Sequence, residues 1–217
     1  VEGAGRLDVE ADKEEAKEEA YLQVNGLDVD IEREYWESFY RNNKALDYPS
    51  EFCIFIDDFF KKKDLNSILD VGCGNGRDAY FLSKKYNVTG VDKSNKPKDV
   101  GNARFVESDF CDFDKSGFDL MYSRFTFHSI TNEQHVRFME SIVVKDTYLC
   151  IETRSDKGKD ESRYHGDCHY RNLTNCDYLR SLLDRYDFKI LYFEEGRDFA
   201  KYKNENPICI RVVCIKK

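Results

Sequence analysis

The segment at residues 69–82, LDVGCGNGRDAYFL, constrains the fold of this chain more than any other feature. An apolar run leads into three glycines spaced one residue apart, Gly72, Gly74 and Gly76, and an amphipathic run follows them. Glycines in a turn between a strand and a helix let the backbone pass close beneath a ligand. A dinucleotide-binding loop would place its third glycine at position 77, which is Arg77 here. The segment therefore predicts a ligand-binding turn that is not built for a dinucleotide.

Downstream of residue 63, short β-rich runs alternate with amphipathic helical runs, as in a mainly parallel sheet covered by helices. The connection at 93–103 is too short for a full crossover helix, and no helical pattern joins the last two strands, which predicts an antiparallel final pair. The predicted fold is α/β, a Rossmann-like, doubly wound, seven-stranded, mainly parallel sheet with an antiparallel last strand. Strands are predicted near 67–71, 87–92, 103–107, 118–123, 147–153, 187–194 and 207–215, and helices near 77–86, 131–144 and 174–185.

Charge divides the chain into two parts. The 217 residues carry a net charge of −8, of which −5 belongs to the first twenty residues, so the remaining residues are nearly neutral. We interpret residues 1–30 as an acidic linker or N-terminal helix and residues 31–217 as one folded domain. The chain begins with Val1, which indicates a trimmed chain or a domain of a longer protein. A net negative charge also argues against a nucleic-acid partner.

The lengths of the apolar runs and the placement of the cysteines predict the cellular compartment of the protein. The longest uninterrupted apolar run has five residues, at 52–56, whereas a membrane-spanning helix needs about 20. We therefore expect a soluble protein with no membrane span and no export signal. The eight cysteines form no C-x-x-C pair, and several lie in apolar strand-like runs. Buried free thiols in a reducing, cytoplasmic setting are the favoured interpretation, and disulfides are the alternative.

The glycine loop resembles the first motif of class I S-adenosylmethionine-dependent methyltransferases. The resemblance implies that Asp70 lies near the amino-acid portion of this cofactor, that Asp92 accepts its ribose hydroxyls and that Asp109 lies near its adenine. Three acids suit a cofactor that carries a sulfonium cation and no phosphate. S-adenosylhomocysteine is then the product. The residues implied in cofactor binding are Tyr48, Asp70, Gly72, Cys73, Gly74, Asn75, Gly76, Arg77, Asp92, Lys93, Ser94, Asp109, Phe110 and Ser123.

In the same family, the segment before the first strand often closes over the cofactor. Here that segment predicts one helix from Ile31, with Tyr35, Trp36, Phe39 and Tyr40 on one face, and a second helix after Pro49 with Ser50 as its N-cap. Packing between helices is an equally good explanation of these side chains. The lid candidates are Tyr35, Tyr40, Asn43 and Tyr48.

After the fourth predicted strand, the chain carries SRFT at residues 123–126. Methyltransferases that modify exocyclic amines of nucleic-acid bases commonly carry an Asp/Asn-Pro-Pro-aromatic motif there, so base N-methylation is disfavoured. His128 is the most plausible general base, because a histidine near neutral pKa can accept a proton from a hydroxyl. Capping or packing of the following helix is its alternative role. The other candidate bases are Asp78, Glu152 and His169.

The polar segment at 155–172 is long enough to be a functional loop. His165 and His169 have a spacing that binds a metal only on a helix, and Gly166 argues against a helix, so we predict no metal site. The segment itself holds groups that can hydrogen-bond a polyhydroxylated acceptor or serve as the base: Tyr164, His165, Asp167, His169, Tyr170 and Arg171. The candidate substrate-binding residues are Arg124, Phe125, Arg154, Tyr164, Tyr170 and Arg171.

From residue 35 onward the chain resembles methyltransferase domains that accompany glycosyltransferases in glycan synthesis, including one in a multidomain chlorovirus protein. The shared runs are YWESFY, YPSEF, GCGNGRD, YSRFTFHSIT, ETRS, HYRN and PICIRVV. This resemblance implies O-methylation of a sugar hydroxyl, such as one on rhamnose, and glycosyltransferase domains in the same polypeptide, in a host cytoplasm if the protein is viral. The alternatives are methylation of a small thiol, amine or metalloid compound, and a non-catalytic domain that only binds the cofactor.

Overall fold

The computed structural model describes residues 29–42, 48–159, 164–165 and 169–217. The acidic segment predicted at 1–30 lies almost wholly outside these residues. The helices are α1 Val29–Asn42, α2 Glu51–Phe59, α3 Arg77–Leu82, α4 Asn132–Glu140 and α5 Cys176–Arg185. The strands are β1 Ser67–Val71, β2 Asn87–Asp92, β3 Ala103–Glu107, β4 Leu120–Arg124, β5 Tyr148–Arg154, β6 Tyr164–His165, β7 His169–Tyr170, β8 Phe188–Gly196 and β9 Cys209–Lys216.

Seven strands form one sheet in the order β3-β2-β1-β4-β5-β9-β8. The first five are parallel to one another, and β9 is antiparallel to both β5 and β8. The predicted doubly wound sheet with an antiparallel last strand is confirmed. Strand order reverses between β1 and β4, and Val71 at the end of β1 pairs with Ser123, one residue before the end of β4. In open α/β sheets, ligands bind in the crevice at this reversal, beyond the carboxyl ends of the strands.

The core consists of two apolar layers, one on each face of the sheet. Successive strand residues point to opposite faces, so Ile68 packs with α2 and α3 while Leu69 packs with α4 and α5. Phe52 from α2 and Phe138 from α4 are fully buried in their respective layers. Covering helices on both faces explain why the parallel strands are nearly continuous apolar runs.

Local signals set the helix boundaries. Ser50 caps α2 by accepting the Cys53 N–H at 3.0 Å, and Thr131 forms a capping box with Gln134 at the start of α4. Two helices end earlier than predicted. The helix expected to reach residue 86 ends at Leu82 in a tighter turn that directs Tyr86 into the core, and the one expected to reach 144 ends at Glu140.

The connections also agree with expectation. Residues 93–102, all described, form no helix. Within the 155–172 segment, β6 and β7 pair as a short antiparallel hairpin, so the backbone at His165 and His169 is extended. The seven cysteines in the described part of the chain are free thiols, and Cys168 lies outside it. None of the described helices has the length and apolar content required to cross a membrane.

Candidate active site

A cavity of about 710 Å³ opens at the carboxyl ends of β1, β2, β4 and β5. One side, the acidic end, contains the glycine loop with Asp70 and Asp92. The other side, the arginine end, contains Arg124, Arg154 and Arg171. Asp92 ends β2 and Arg154 ends β5, three strand spacings apart, or roughly 14 Å. A single elongated ligand, or two ligands end to end, can therefore occupy the cavity.

The glycine loop passes between two side chains that leave no room for a β-carbon. Gly72 has φ +69°, and a Cβ built on it would lie 2.0 Å from Cγ2 of Thr126. Gly74 has φ +54°, and its Cβ would lie 2.7 Å from the hydroxyl of Tyr40. Both the left-handed backbone and the close contacts require glycine at these positions. The loop backbone thus forms the floor of the acidic end.

Asp92 organises the acidic end through the backbone. One carboxylate oxygen accepts the Gly74 N–H at 2.9 Å, and the other accepts the Ser94 N–H at 2.8 Å. The Ser94 hydroxyl lies in the cavity wall, is buried, and has no hydrogen-bond partner in the described protein. A buried hydroxyl of this kind is satisfied when a polar ligand atom lies beside it.

Asp70 makes the acidic end attractive to a cation. It is only 4% exposed. Burial first, and then the neighbouring Asp78 and Asp92, raise its pKa well above the ordinary value, while Arg124 and Arg77 oppose this shift. A positively charged ligand beside Asp70 would relieve the repulsion among these carboxylates.

Helix α1 covers the acidic end with aromatic side chains. Tyr40 lies over Gly74 and stacks on Trp36 with ring centroids 5.9 Å apart. Burial, followed by Asp92, raises the pKa of Tyr40, so its hydroxyl keeps its proton and acts as a donor. Tyr48 also lines the cavity and is 61% exposed. Of the other two lid candidates, Tyr35 does not line the cavity and Asn43 lies outside the described residues.

Asp78, a candidate base, joins three elements. Its carboxylate accepts the Ser50 N–H, the Ser50 hydroxyl and the Tyr122 hydroxyl, each at 2.7 Å. The Arg77 guanidinium lies 3.4 Å away. These bonds fix the start of α2 against α3 and β4. They leave the carboxylate little capacity to accept a further proton from a ligand.

Glu152, a second candidate base, is fully buried between two guanidinium groups and does not line the cavity. It accepts a hydrogen bond from Arg124 at 3.0 Å and another from Arg211 at 2.7 Å. Burial raises the pKa of the Glu152 carboxyl, and both guanidinium groups counteract that rise. From this position, Glu152 fixes the orientation of the Arg124 guanidinium within the arginine end.

His128, the favoured candidate base, does line the cavity. Its Nδ1 accepts the backbone N–H of Arg154 at 3.2 Å and lies 3.3 Å from the Thr153 hydroxyl. Because Nδ1 accepts a backbone N–H, the neutral ring carries its proton on Nε2. In that state, Nε2 is a hydrogen-bond donor and does not accept a proton.

Phe125 stands between two arginines with an unusual backbone conformation. Its φ is +60°, and its ring lies 4.2 Å from the Arg124 guanidinium carbon and 5.4 Å from that of Arg154. A left-handed conformation is costly for a residue with a side chain and clusters at functional sites. The ring holds both guanidinium planes in place by cation–π contact.

Arg154 and Arg171 complete the arginine end, and both are nearly fully buried. Arg154 donates to Glu205 at 2.7 Å. The backbone that follows Arg171 is tied to the site, because the N–H of Asn172 donates to His128 O at 2.8 Å and that of Thr174 donates to Arg154 O at 2.9 Å. These bonds hold the end of the 155–172 segment against β5.

The remaining predicted site residues divide into three groups. Phe110 lines the cavity, whereas Asp109 caps the backbone by accepting the Cys111 N–H at 2.8 Å, outside the wall. Gly76 and Ser123 also lie outside the wall. The side chains of Tyr164, His169 and Tyr170 lie outside the described part of the structure. The predicted cofactor residues that line the cavity are Tyr48, Asp70, Gly72, Cys73, Gly74, Asn75, Arg77, Asp92, Lys93, Ser94 and Phe110.

Sequence reasoning missed one wall of the cavity, the β8–β9 connection at residues 200–205. Lys201, Lys203 and Glu205 from this connection line the arginine end. A signal was present, because the connection is long and β8 runs parallel to β5, so its carboxyl end lies at the edge of the sheet that binds ligands. Thr126 and Tyr122 also line the cavity. The sequence did not mark them as site residues, because nothing in their local pattern distinguishes them from packing residues.

Comparison with known proteins adds a family and a set of similar folds. The profile of the family described as "Methyltransferase domain" matches residues 45–192. A malonyl-[acyl-carrier protein] O-methyltransferase of Calditerrivibrio nitroreducens is 28% identical over 153 residues, which span 64% of this chain and 62% of that protein, less than two thirds of its length.

Two solved structures illustrate the shared fold. A SAM-dependent methyltransferase from Anabaena variabilis superposes with a TM-score of 0.64 at 18% identity, covering 88% of this chain and 96% of its own. The 1,6-didemethyltoxoflavin-N1-methyltransferase of Burkholderia thailandensis, with bound S-adenosylhomocysteine, has a TM-score of 0.57 at 17% identity, covering 76% of each chain. At these identities, the likeness concerns the fold.

The acidic end fits S-adenosylmethionine on its own chemistry. Asp70 suits a cationic group, the Ser94 hydroxyl suits a polar ligand atom, and the glycine loop lets the ligand approach the backbone. Asp92 keeps lone pairs on both oxygens after accepting its two backbone bonds, so it can still accept from a ligand diol.

Proposed function

We propose that this chain, which belongs to the family of methyltransferase domains, transfers the methyl group of S-adenosylmethionine to an oxygen atom of a polar acceptor. One observation carries the choice of acceptor atom: the far side of the cavity is lined by Arg124, Arg154 and Arg171. A cationic amine would be repelled by three guanidinium groups and sulfur accepts hydrogen bonds weakly, whereas oxygen atoms accept them well. These residues therefore favour O-methylation over the small-molecule S-, N- and metalloid alternatives.

At the acidic end, Asp92 and Ser94 would hold the ribose, Asp70 the amino-acid portion and Phe110 the adenine side of S-adenosylmethionine. Bound there, this cofactor supplies an electrophilic methyl group on a positively charged sulfur. Tyr40 covers the loop and excludes water from it. The arginine end positions the acceptor, and positioning accounts for much of the rate of such a transfer.

The first candidate acceptor is a sugar hydroxyl of a glycan, such as rhamnose. It is supported by the polar cavity wall and by the resemblance to domains that accompany glycosyltransferases, which would be its neighbours in the same polypeptide. A hydroxyl needs a base to take its proton. Asp78 and Glu152 are occupied by hydrogen bonds, and His128 accepts a backbone N–H at Nδ1 and so carries a proton on Nε2, so we propose His169 as the base and His128 as a donor that orients the acceptor.

The second candidate acceptor is a carboxylate of a small molecule. A carboxylate is already ionised at neutral pH, so its methylation needs no base. The engagement of Asp78, Glu152 and His128 in structural hydrogen bonds specifically favours this candidate.

The test is a methyl-transfer assay with radiolabelled S-adenosylmethionine, offering a rhamnose-terminated glycan in one arm and a panel of small carboxylic acids in the other. The His169→Ala variant separates the candidates. We expect it to abolish transfer to a hydroxyl and to leave transfer to a carboxylate intact. Cofactor binding by calorimetry without transfer in either arm would instead support a non-catalytic, cofactor-binding domain.

A further inference from the structure

Among the described residues, Lys115 is the only buried lysine, with 2% of its surface exposed. Burying an ammonium group costs free energy unless polar groups surround it. Here the amine donates to the backbone carbonyls of Phe110 at 2.6 Å, Phe113 at 3.0 Å and Cys111 at 3.4 Å. Its Nζ also lies 5.0 Å from the centroid of the Phe138 ring in α4. The amine thus lies where three carbonyls and one aromatic ring converge.

The three carbonyls belong to one turn, residues 109–113, which follows the carboxyl end of β3. Asp109 closes this turn from its N–H side. Its Oδ1 accepts the Cys111 N–H at 2.8 Å, and its backbone oxygen accepts the Phe113 N–H at 3.1 Å. Buried carbonyl groups also need a donor. Lys115 supplies it, so the amine holds the turn from its carbonyl side.

Phe110 is the residue through which this turn reaches the cavity. Its side chain lines the wall, and its Cε1 lies 3.7 Å from the Cβ position built on Gly72. The Phe110 ring packs edge-on against Phe138 with centroids 5.9 Å apart, so the ring and the Lys115 amine share one neighbour. The turn is also joined to the acidic end, because the N–H of Ser108 donates to the backbone oxygen of Asp92 at 3.1 Å. A shift of the turn would therefore move the Phe110 ring within the cavity wall.

The charge of the Lys115 amine depends on pH near neutrality. Burial lowers its pKa to about 8, and the acidic groups around it oppose that shift. The titratable and charged groups that face the amine, from its own turn and from α4, are Cys111, Asp109, Asp112, Asp114 and Arg137. Once deprotonated, the amine has two N–H donors for three carbonyls and loses the charge that strengthens these hydrogen bonds. The turn is therefore held most firmly below about pH 8.

We propose that Lys115 positions the adenosine portion of S-adenosylmethionine, because its ammonium group holds the turn at 109–113 in the conformation in which the Phe110 ring lines the cavity. Lys115 is a positioning residue, since it does not line the cavity itself and acts through Phe110. The inference rests on the proposed function, which places the adenine beside Phe110. Cofactor binding then favours the protonated amine. By linkage, the affinity falls as the pH rises through the pKa of Lys115, and binding near that pH takes up protons.

The test uses 5′-methylthioadenosine, which carries the adenine and the ribose and has no group that titrates between pH 7 and pH 9. Calorimetry measures its affinity for the whole chain at both pH values, and proton uptake at pH 8 in two buffers of different ionisation enthalpy. We expect the affinity to be about two- to eightfold weaker at pH 9 and a fraction of a proton to be taken up at pH 8. Cys111 stays a thiol throughout this range, because burial raises its pKa to about 12. Equal affinity at the two pH values, or binding without proton uptake, would overturn the proposal.

Two variants and a control assign the effect to Lys115. Lys115→Met should bind the probe more weakly at pH 7, with no further loss at pH 9 and no proton uptake, and a wild-type profile in this variant would contradict the proposal. Lys216→Met is the matched control and should keep the wild-type profile, because Lys216 also donates to a backbone carbonyl, that of Tyr186 at 2.6 Å, and lies 5.3 Å from the Phe188 ring, away from the cavity. If Lys115→Met does not fold, Phe110→Leu still decides. It keeps the amine and removes the ring, so an undiminished pH dependence in that variant would refute action through Phe110.

The outcomes separate this inference from the proposed function. Binding of 5′-methylthioadenosine that does not depend on pH would refute the inference and leave the proposed placement of the cofactor intact. Failure of the probe to bind at any pH would refute that placement and the inference with it. The expected pH profile without methyl transfer to any oxygen acceptor would uphold the inference and refute O-methylation.

Discussion

Gly72→Ala is the sharpest test of the site geometry, because the chain supplies its own control. The new Cβ would lie 2.0 Å from Thr126 Cγ2, about 1.4 Å inside the distance at which ordinary contact begins. Gly101 has a similar left-handed backbone, with φ +58°, but nothing lies within 4 Å of a Cβ built there. Gly101→Ala therefore measures the backbone strain alone, and the difference between the two variants measures the clash.

The two contributions can be estimated separately. A left-handed conformation costs an alanine about 1–2 kcal/mol. Forcing a methyl group into a packed site costs about 1–3 kcal/mol more. We expect Gly101→Ala to lose about 1–2 kcal/mol of unfolding free energy and Gly72→Ala to lose about 2–5 kcal/mol. In Gly72→Ala/Thr126→Ser, the clashing methyl is gone and the next atoms lie at 3.4 Å or beyond, so most of the excess should be recovered.

The assay is urea unfolding followed by circular dichroism, with affinity for S-adenosylhomocysteine measured by calorimetry on the same samples. Thr126→Ser alone completes the double-mutant cycle. The affinity should fall in Gly72→Ala and be unchanged in Gly101→Ala, since only Gly72 lines the cavity. The reasoning is refuted if Gly72→Ala loses no more stability than Gly101→Ala. It is also refuted if Thr126→Ser does not restore stability in the Gly72→Ala background.

Two further predictions concern buried polar groups. Burial lowers the pKa of His135 to about 4, so its contribution to stability is complete above about pH 6.5 and is lost as the pH falls toward 4, by about 2 kcal/mol at pH 5. In urea titrations at pH 7 and pH 5, His135→Gln should lose less stability between the two than the wild type, and equal losses would contradict this. Asp78→Ala leaves the donors of Ser50 and Tyr122 without their shared acceptor and should lower the free energy of unfolding by about 3 kcal/mol or more. Tyr122→Phe should lower it by about 1 kcal/mol in the same titration at pH 7. Equal costs would show that Asp78 is not the shared acceptor.

The parts of the fold that depend on local pattern were predictable from the sequence. The predicted strand at 67–71 agrees with β1, and that at 187–194 lies within two residues of the bounds of β8, because apolar runs and turn residues mark their own ends. The glycine loop was identifiable because steric limits on φ are a property of the residue itself. The same locality explains why Gly72 and Asp92 could be predicted to line one ligand cavity, as they do.

The role of each candidate base was not predictable, because a residue type does not show its hydrogen-bond partners. Asp78 contacts Ser50 and Tyr122, which lie 28 and 44 residues away along the chain. Glu152 and Arg211 are 59 residues apart. Such pairs form only when the fold brings distant helices and strands together. The near-neutral charge of the domain likewise concealed how unevenly its arginines are distributed.

The position of the β8–β9 turn separates two kinds of change that such a protein can undergo. The acidic end is built from β1 and β2 in the middle of the sheet, where an insertion would shift the register of paired strands. The turn at residues 200–205 joins an edge hairpin, where length and composition can vary without moving any parallel strand. Under the proposed function, a change in this loop would alter the acceptor side of the cavity while the strands of the acidic end keep their register, and grafting the loop between relatives is a direct test of that division.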